Sequence, residues 1–242
     1  SRAAYWGLVT ALDTLIGRIL NALEETGLSK NTMVVYTSDH GDMVGEHGLF
    51  WKHVFYEDSV KVPLVISFPG VIPAGHIDSR VVSSLDLTAT ILDALRCPAL
   101  PGSPGRSVLP LPNQGEWENV AFSEYCSDEY APEGGCYHRM IRQGRWKLIY
   151  YHGEPSQLFD LKEDPDEEHD LRRDPACQAI AEELETRVLE DWDPEQIRIR
   201  MAGFQAQSEV MAAWARRTKP AESHRWPLTG AMNFLDDGPS PS

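Results

Sequence analysis

The sequence predicts an α/β domain followed by a small subdomain in which a helix accompanies an antiparallel sheet. Residues 1–96 alternate amphipathic helices with short apolar runs rich in β-branched residues, a pattern typical of a mostly parallel sheet covered by helices. Residues 119–191 carry four short strands in succession and then a helix. Residues 97–118 hold five prolines and three glycines and predict a linker, and residues 192–242 form a tail.

The first element is an amphipathic helix over residues 3–26, which Gly27 is placed to end. We expect it to pack beside a strand at residues 32–37. That run, TMVVYT, is short, apolar and β-branched, which is typical of a buried parallel strand. The apolar positions of the helix recur at helical spacing and are Leu8, Leu12, Leu15, Ile16, Ile19, Leu20 and Leu23.

A second apolar strand is predicted at residues 62–68, and a helix is predicted from Leu87 to about Leu95 with Asp86 as its cap. The segment ending near residue 96 is therefore expected to be the last part of an α/β sandwich whose earlier strands lie outside this sequence.

The small subdomain is predicted from four strands at residues 120–124, 137–143, 145–151 and 157–161, with Gly144 in a tight turn between the middle two. Each run is short and bounded by turn residues. Together they predict an antiparallel sheet.

A helix is predicted over residues 175–191, and its buried side is formed by Ile180, Leu184, Val188 and Leu189. The acidic run at residues 163–168 lacks the glycine and the ligand spacing of a calcium loop, so we expect a solvated turn there. Residues 195–217 have helical character.

Composition limits the classes of partner. The net charge of −15 comes from 37 acidic and 22 basic residues, which disfavours nucleic acid because phosphate binding needs clustered cations. No run approaches the roughly 20 apolar residues of a membrane span. The four cysteines lack C-x-x-C spacing, and free thiols are favoured over a Cys126–Cys136 bridge. The compartment, periplasm or cytoplasm, stays open.

Asp39, His40 and Gly41 directly follow the strand at residues 32–37. Because open α/β sheets bind ligands at the carboxyl ends of their strands, we expect Asp39 and His40 to face a crevice. Lys52 lies twelve residues after His40, and a carboxylate, an imidazole and an ammonium group together suit a site for a metal and an oxyanion. The simpler alternative for the pair alone is a strand end bonded to its own backbone.

The motif resembles a known family. Residues 38–52, SDHGDMVGEHGLFWK, with residues 57–64, EDSVKVPL, are similar to the second signature region of the sulfatases in the alkaline phosphatase superfamily. Residues 139–151 and 157–171 resemble the carboxyl-terminal subdomain of the same family, so the likeness covers roughly residues 3–190. It implies an alkaline-phosphatase-like sandwich for the first domain.

The resemblance also implies a function, the hydrolysis of a small sulfate ester by a metal-dependent enzyme. Asp39 and His40 match two metal-ligating positions, with Ca²⁺ as the first expectation and Mn²⁺ or Zn²⁺ as alternatives because of the imidazole. Lys52 matches the lysine that contacts the sulfate, and His53 is a weaker catalytic candidate. Trp51 stands where glycine is common in the family, which would offer the substrate an aromatic wall.

Sulfatases carry a formylglycine nucleophile in a C-x-P-x-R or S-x-P-x-R motif. Residues 102–106, GSPGR, imitate that motif, but glycine has no side-chain carbon to oxidise. We therefore expect the nucleophile and two further carboxylate ligands to lie outside this sequence. The chain alone is then expected to be inactive.

Two alternatives stay open. One is a phosphonate monoester or phosphodiester hydrolase of the same superfamily, and the other is a non-catalytic chain acting as an interaction module. Tails in the choline-sulfatase-like branch reach a neighbouring subunit, so the resemblance admits a homo-oligomer or an active-site contact through residues 192–242, with simple packing as the alternative.

Overall fold

The computed structural model describes residues 2–109, 116–127 and 135–219. Contacts divide the chain into two units, Ser1–Ile197 and Arg198–Ser242. The first unit holds both sheets and all helices but the last. Among the described residues no helix combines the length and apolarity that crossing a membrane requires.

Helix α1 spans Arg2–Glu25, close to the prediction, and Gly27 ends it with a φ of 72°. Ile19 and Leu23 line an open groove together with Val35 of the following strand, so the end of the helix lies beside that strand as expected. The remainder of the apolar stripe is uncovered, since no residue of α1 is buried and Leu8 is 70% exposed.

The first two strands, β1 (Val34–Thr37) and β2 (Leu64–Ser67), form a two-stranded sheet. Both strands are confirmed. The expectation that residues 32–37 form a buried parallel strand was wrong in its direction of pairing and in its burial. β1 and β2 run antiparallel, and Tyr36 is exposed. An apolar run identifies a strand, but it does not state which segment pairs with it or in which direction.

Two helices complete this region, the single turn α2 (Glu57–Val60) and α3 (Ser84–Ala94). Helix α3 begins at Ser84 and not at Leu87, because Ser83 is its cap and Asp86 is the third residue of a capping box. The Asp86 carboxylate accepts a hydrogen bond from the Ser83 backbone at 2.7 Å and another from the Arg106 backbone at 2.9 Å. The second bond ties residues following the helix back onto it.

The predicted four-stranded sheet is confirmed. Its strands are β3 (Val120–Ser127), β4 (Cys136–Gln143), β5 (Trp146–Tyr151) and β6 (Gln157–Asp160), paired in that order and all antiparallel. Gly144 has a φ of 56° in the turn between β4 and β5, a conformation that favours glycine.

The two faces of this sheet are covered differently. Helix α4 (Gln178–Val188) packs on one face, as predicted for residues 175–191. The other face packs against Phe55, which lies just before α2, so the antiparallel sheet is joined directly to the segment that carries the site. The core between the sheet and α4 is formed by side chains with no exposed surface: Ile141, Leu148 and Leu158 of the sheet, and Ala181, Leu184 and Val188 of the helix.

Two further expectations are decided by the structure. Cys136 is a free thiol, so the Cys126–Cys136 bridge is absent, as favoured. The acidic run at residues 163–168 is not wholly solvated, because Glu167 is only 4% exposed. Its carboxylate pairs with the Lys147 ammonium, a partner that sequence patterns did not reveal.

The last helix, α5, spans Pro194–Thr218, in agreement with the helical character of residues 195–217. Most of the described helix belongs to the second unit. Residues 220–242 of the predicted tail lie outside the described residues, and the contact of the tail with a neighbouring subunit remains an expectation.

Candidate active site

Asp39 and His40 follow β1 directly and enter a turn whose shape depends on Gly41. The Gly41 N–H donates a hydrogen bond to the Ser59 carbonyl oxygen at 2.8 Å. A Cβ atom at position 41 would lie 1.9 Å from the Asp58 carbonyl oxygen. Only glycine therefore lets helix α2 approach the backbone this closely.

The loop that follows is closed on itself by Asp42. One oxygen of its carboxylate accepts hydrogen bonds from the Val44 N–H at 2.9 Å and the Trp51 N–H at 3.1 Å. The Met43 N–H donates to the Trp51 carbonyl at 2.9 Å. These bonds bring Trp51 back beside Asp42 and Met43. Lys52 therefore lies close to the end of β1.

The three residues predicted to share one site lie together. The Lys52 Nζ atom is 2.7 Å from His40 Nε2, and the same ring nitrogen is 3.4 Å from Asp39 Oδ2. A carboxylate, an imidazole and an ammonium group thus converge within hydrogen-bonding or ion-pairing reach at one strand end.

The hydrogen bonds of His40 define its tautomer. Nδ1 lies 2.8 Å from the Gly41 carbonyl oxygen, which can only accept, so Nδ1 carries the proton. Nε2 faces the Lys52 ammonium, which can only donate, so this nitrogen presents a lone pair. A backbone carbonyl that orients Nδ1–H is the usual support of a histidine that binds metal through Nε2.

Asp39 is suited to act as an anionic ligand. Its side chain is 82% exposed, so its oxygens are accessible. The backbone N–H of His40 donates to Oδ1 at 3.0 Å and lowers the pKa of the Asp39 carboxyl below its ordinary value, with smaller help from the imidazole and the Ser38 hydroxyl. The group is a carboxylate at neutral pH.

This donor set fits part of a metal shell. A carboxylate oxygen and an unprotonated imidazole nitrogen are ligands that Mn²⁺ and Zn²⁺ accept, and the carboxylate suits Ca²⁺. Within the described ranges, no group of three or more His, Cys, Asp or Glu side chains could hold a metal by itself. Further ligands would have to come from outside those ranges.

The other two predicted site residues, Trp51 and His53, lie next to Lys52, but their contacts do not assign them a role. The Trp51 side chain is 74% exposed, and its backbone has a φ of 69°. The ring of His53 packs edge-on against Tyr125 of β3, at 5.1 Å between centroids. Both residues flank Lys52 at the surface, and their substrate-binding and catalytic roles remain predictions.

A group of charged residues near this loop was missed from the sequence. Lys147 is completely buried and pairs with Glu57 and Glu167. One signal was available, because Lys147 shares a face of β5 with Ile149, an unusual position for an unpaired lysine. Its partners, however, could not be read from spacing.

Comparison with known proteins identifies the family of this chain. Residues 45–193 match the family described as "N-sulphoglucosamine sulphohydrolase, C-terminal". A choline-sulfatase of Rhizobium meliloti is 34% identical over 218 residues, which are 87% of this chain and 41% of that protein. The chain thus spans less than half of this relative.

Solved structures of similar fold include sulfatase-family and related enzymes. A phosphonate monoester hydrolase of Agrobacterium radiobacter is 29% identical with a TM-score of 0.70, over 81% of this chain and 41% of that one. A protein in complex with its substrate D-glucosamine-2-N,6-O-disulfate is 31% identical with a TM-score of 0.65, over 79% of this chain and 39% of that one. These neighbours confirm the predicted alkaline-phosphatase-like α/β fold class. The chain therefore belongs to the sulfatase family and corresponds to its carboxyl-terminal region.

Proposed function

We propose that this chain supplies two metal ligands and the sulfate-binding cation of a sulfuric ester hydrolase. The observation that carries the proposal is the convergence of Asp39, His40 and Lys52, with 3.4 Å and 2.7 Å between successive polar atoms. Two groups that suit a cation and one that suits an anion lie at the same strand end, which is the requirement for binding a sulfate ester through a metal.

The Asp39 carboxylate and His40 Nε2 would hold a divalent cation, Ca²⁺ first and Mn²⁺ or Zn²⁺ as alternatives. When bound, the cation supplies Lewis-acid polarisation of the sulfate oxygens. Nε2 has one lone pair, so Lys52 must release its 2.7 Å hydrogen bond to allow metal binding. The freed ammonium group then binds a sulfate oxygen and stabilises negative charge that develops on the leaving oxygen.

The nucleophile is proposed to be a formylglycine in another part of the complete enzyme. No Cys or Ser in these 242 residues begins a C-x-P-x-R or S-x-P-x-R motif. We therefore propose that the 242-residue chain alone does not turn over a sulfate ester. Measurable hydrolysis by this chain would contradict that statement.

A second candidate is phosphonate monoester hydrolysis, which the similarity to the Agrobacterium radiobacter enzyme favours. Metal and ammonium groups neutralise phosphoryl oxygens as well as sulfuryl oxygens. Parallel assays of the complete enzyme with an aryl sulfate and an aryl phosphonate monoester would separate the two, and the larger kcat/KM identifies the preferred ester.

The test of the site uses three variants of the complete enzyme. Asp39→Ala should remove bound metal and activity together, whereas Lys52→Ala should keep the metal and lower kcat by about 10²–10³. Asp166→Ala, an exposed carboxylate outside the site, is the matched control and should change neither. Metal content and kcat are the two measurements. Full metal content in Asp39→Ala would refute the ligand assignment.

A further inference from the structure

We infer that Lys147, Glu57 and Glu167 position the Asp39–His40 pair from the antiparallel sheet. The sheet holds helix α2 through these buried charges, and α2 in turn holds the backbone beside His40. The functional meaning of this arrangement rests on the proposed function, because it assumes that Asp39 and His40 are ligands. The geometry itself is independent of that assumption.

The first link is a buried charge cluster. The Lys147 side chain has no exposed surface, and its Nζ atom donates to Glu57 Oε1 at 2.8 Å and to Glu167 Oε1 at 2.7 Å. The second oxygen of Glu167 accepts the backbone N–H of Glu57 at 2.5 Å. Glu57 is the first residue of α2, so both its side chain and its backbone are fixed to the antiparallel subdomain.

The charges in this cluster need one another. Burial raises the pKa of the Glu167 carboxyl, while the Lys147 ammonium opposes that shift. Arg142 lies 3.7 Å from the other oxygen of Glu57 and adds a second cation. Removing the lysine would leave the buried Glu167 carboxylate without its ammonium partner, which strongly disfavours the observed arrangement.

The second link runs from α2 to the site. Helix α2 is a single turn, so fixing Glu57 also fixes Ser59 two residues later. The Ser59 carbonyl accepts the Gly41 N–H at 2.8 Å, and the Gly41 carbonyl accepts the Nδ1–H of His40 at 2.8 Å. Hydrogen bonds, joined by the single turn of α2 between Glu57 and Ser59, therefore connect Lys147 to the imidazole ring.

Apolar contacts support the same attachment but do not replace it. Phe55 packs with Met140, Ile149 and Phe159 on this face of the sheet. Such contacts hold the segment close without specifying its orientation, since they have no direction. Hydrogen bonds do have direction, so the charge cluster is the part that sets the angle of α2.

The test measures amide hydrogen exchange by NMR in the 242-residue chain. In Lys147→Met, exchange of the Gly41 amide should accelerate at least about tenfold relative to the Ile141 amide of β4, because local opening is no longer opposed. The ¹⁵N shifts of His40 should also move away from those of the Nδ1–H tautomer. These readouts report position and not overall stability.

Leu184→Ala is the matched control, since it weakens the core on the opposite face of the sheet. It should leave the Gly41 to Ile141 exchange ratio and the His40 tautomer unchanged. Equal effects of Leu184→Ala and Lys147→Met would overturn the inference, as would a rapidly exchanging Gly41 amide in the unmodified chain.

Glu57 offers a second test in case Lys147→Met does not fold. Glu57→Gln keeps an oxygen for the Lys147 ammonium and should retain protection of the Gly41 amide, whereas Glu57→Ala should lose it. Equal protection in both variants would overturn the inference. Neither readout needs metal or substrate, so an inactive complete enzyme would refute the proposed function and leave this result standing.

Discussion

The antiparallel subdomain and the α/β region contrast in how they use their apolar residues. Leu148 and Leu184 of the subdomain have no exposed surface, whereas helix α1, with a longer apolar stripe, buries none of its residues. Both regions contain the expected periodic patterns. Helix α4 covers one face of the subdomain's sheet and Phe55 packs on the other, while the described residues of the α/β region cover little of α1. Burial thus depends on partners and not on the pattern alone.

The largest effect that would sharpen this contrast is expected in the closed core of the subdomain. Leu184→Ala should lower the free energy of unfolding by about 2–5 kcal/mol, because it removes buried methyl groups and leaves a cavity. Urea unfolding followed by circular dichroism measures the change. A loss below about 1 kcal/mol would show that this core is not closely packed.

A smaller effect is expected within the α/β region, where the turn at Gly41 packs on α2. Gly41→Ala should destabilise the chain by about 1–3 kcal/mol, since its Cβ would lie 1.9 Å from the Asp58 carbonyl and α2 would have to move. Gly17→Ala is the control within α1, where a Cβ meets nothing within 4 Å. The control should stabilise the helix by roughly 0.5–1 kcal/mol. Thermal unfolding of the two variants decides between these outcomes.

A pH effect near neutrality is expected from His138 of the subdomain. Burial, with the nearby charge of His152, lowers the pKa of His138 below its ordinary value of 6.5. The unfolded chain then binds more protons near that pH, so this contribution to stability is present above pH 6.5 and is lost as the pH falls toward the folded pKa. Urea unfolding of the wild type and His138→Phe at pH values of about 7.5 and 5.5 tests this. An unchanged pH dependence in the variant would contradict it.

The smallest effect is expected on the exposed apolar stripe of α1, which includes Leu8. Leu8→Ala should change the free energy of unfolding by no more than about 0.5 kcal/mol, because Leu8 is 70% exposed and alanine favours helix. The same urea titration as for Leu184→Ala allows direct comparison. A loss near that of Leu184→Ala would show that the stripe is covered in solution, and the contrast between the regions would fail.

Much of the fold could be predicted because its signals are local. Strands β3 to β6 and helix α4 were found within a few residues, since alternation, turn residues and helical spacing all lie within each element. The start of α3 was misplaced because Asp86 is a good cap residue, yet Ser83 completes a capping box with it. The pairing direction of β1 was misjudged because pairing is not a local property.

The site was predicted in part for the same reason. Asp39, His40 and Lys52 lie within one short motif, and the loop between them closes through its own hydrogen bonds. Lys147 was missed because its partners lie 90 and 20 residues away along the chain. The buried state of Glu167 was missed with it, since an acidic run usually indicates exposure.

The sequence by itself determined the family, the order of the elements and the residue types that meet at the end of β1. Only the tertiary structure decided the tautomer of His40, the burial of Lys147 and the exposure of α1 among the described residues. The tautomer depends on how residues 40–52 fold, and the other two properties depend on groups from distant parts of the chain; neither periodicity nor motif spacing contains that information.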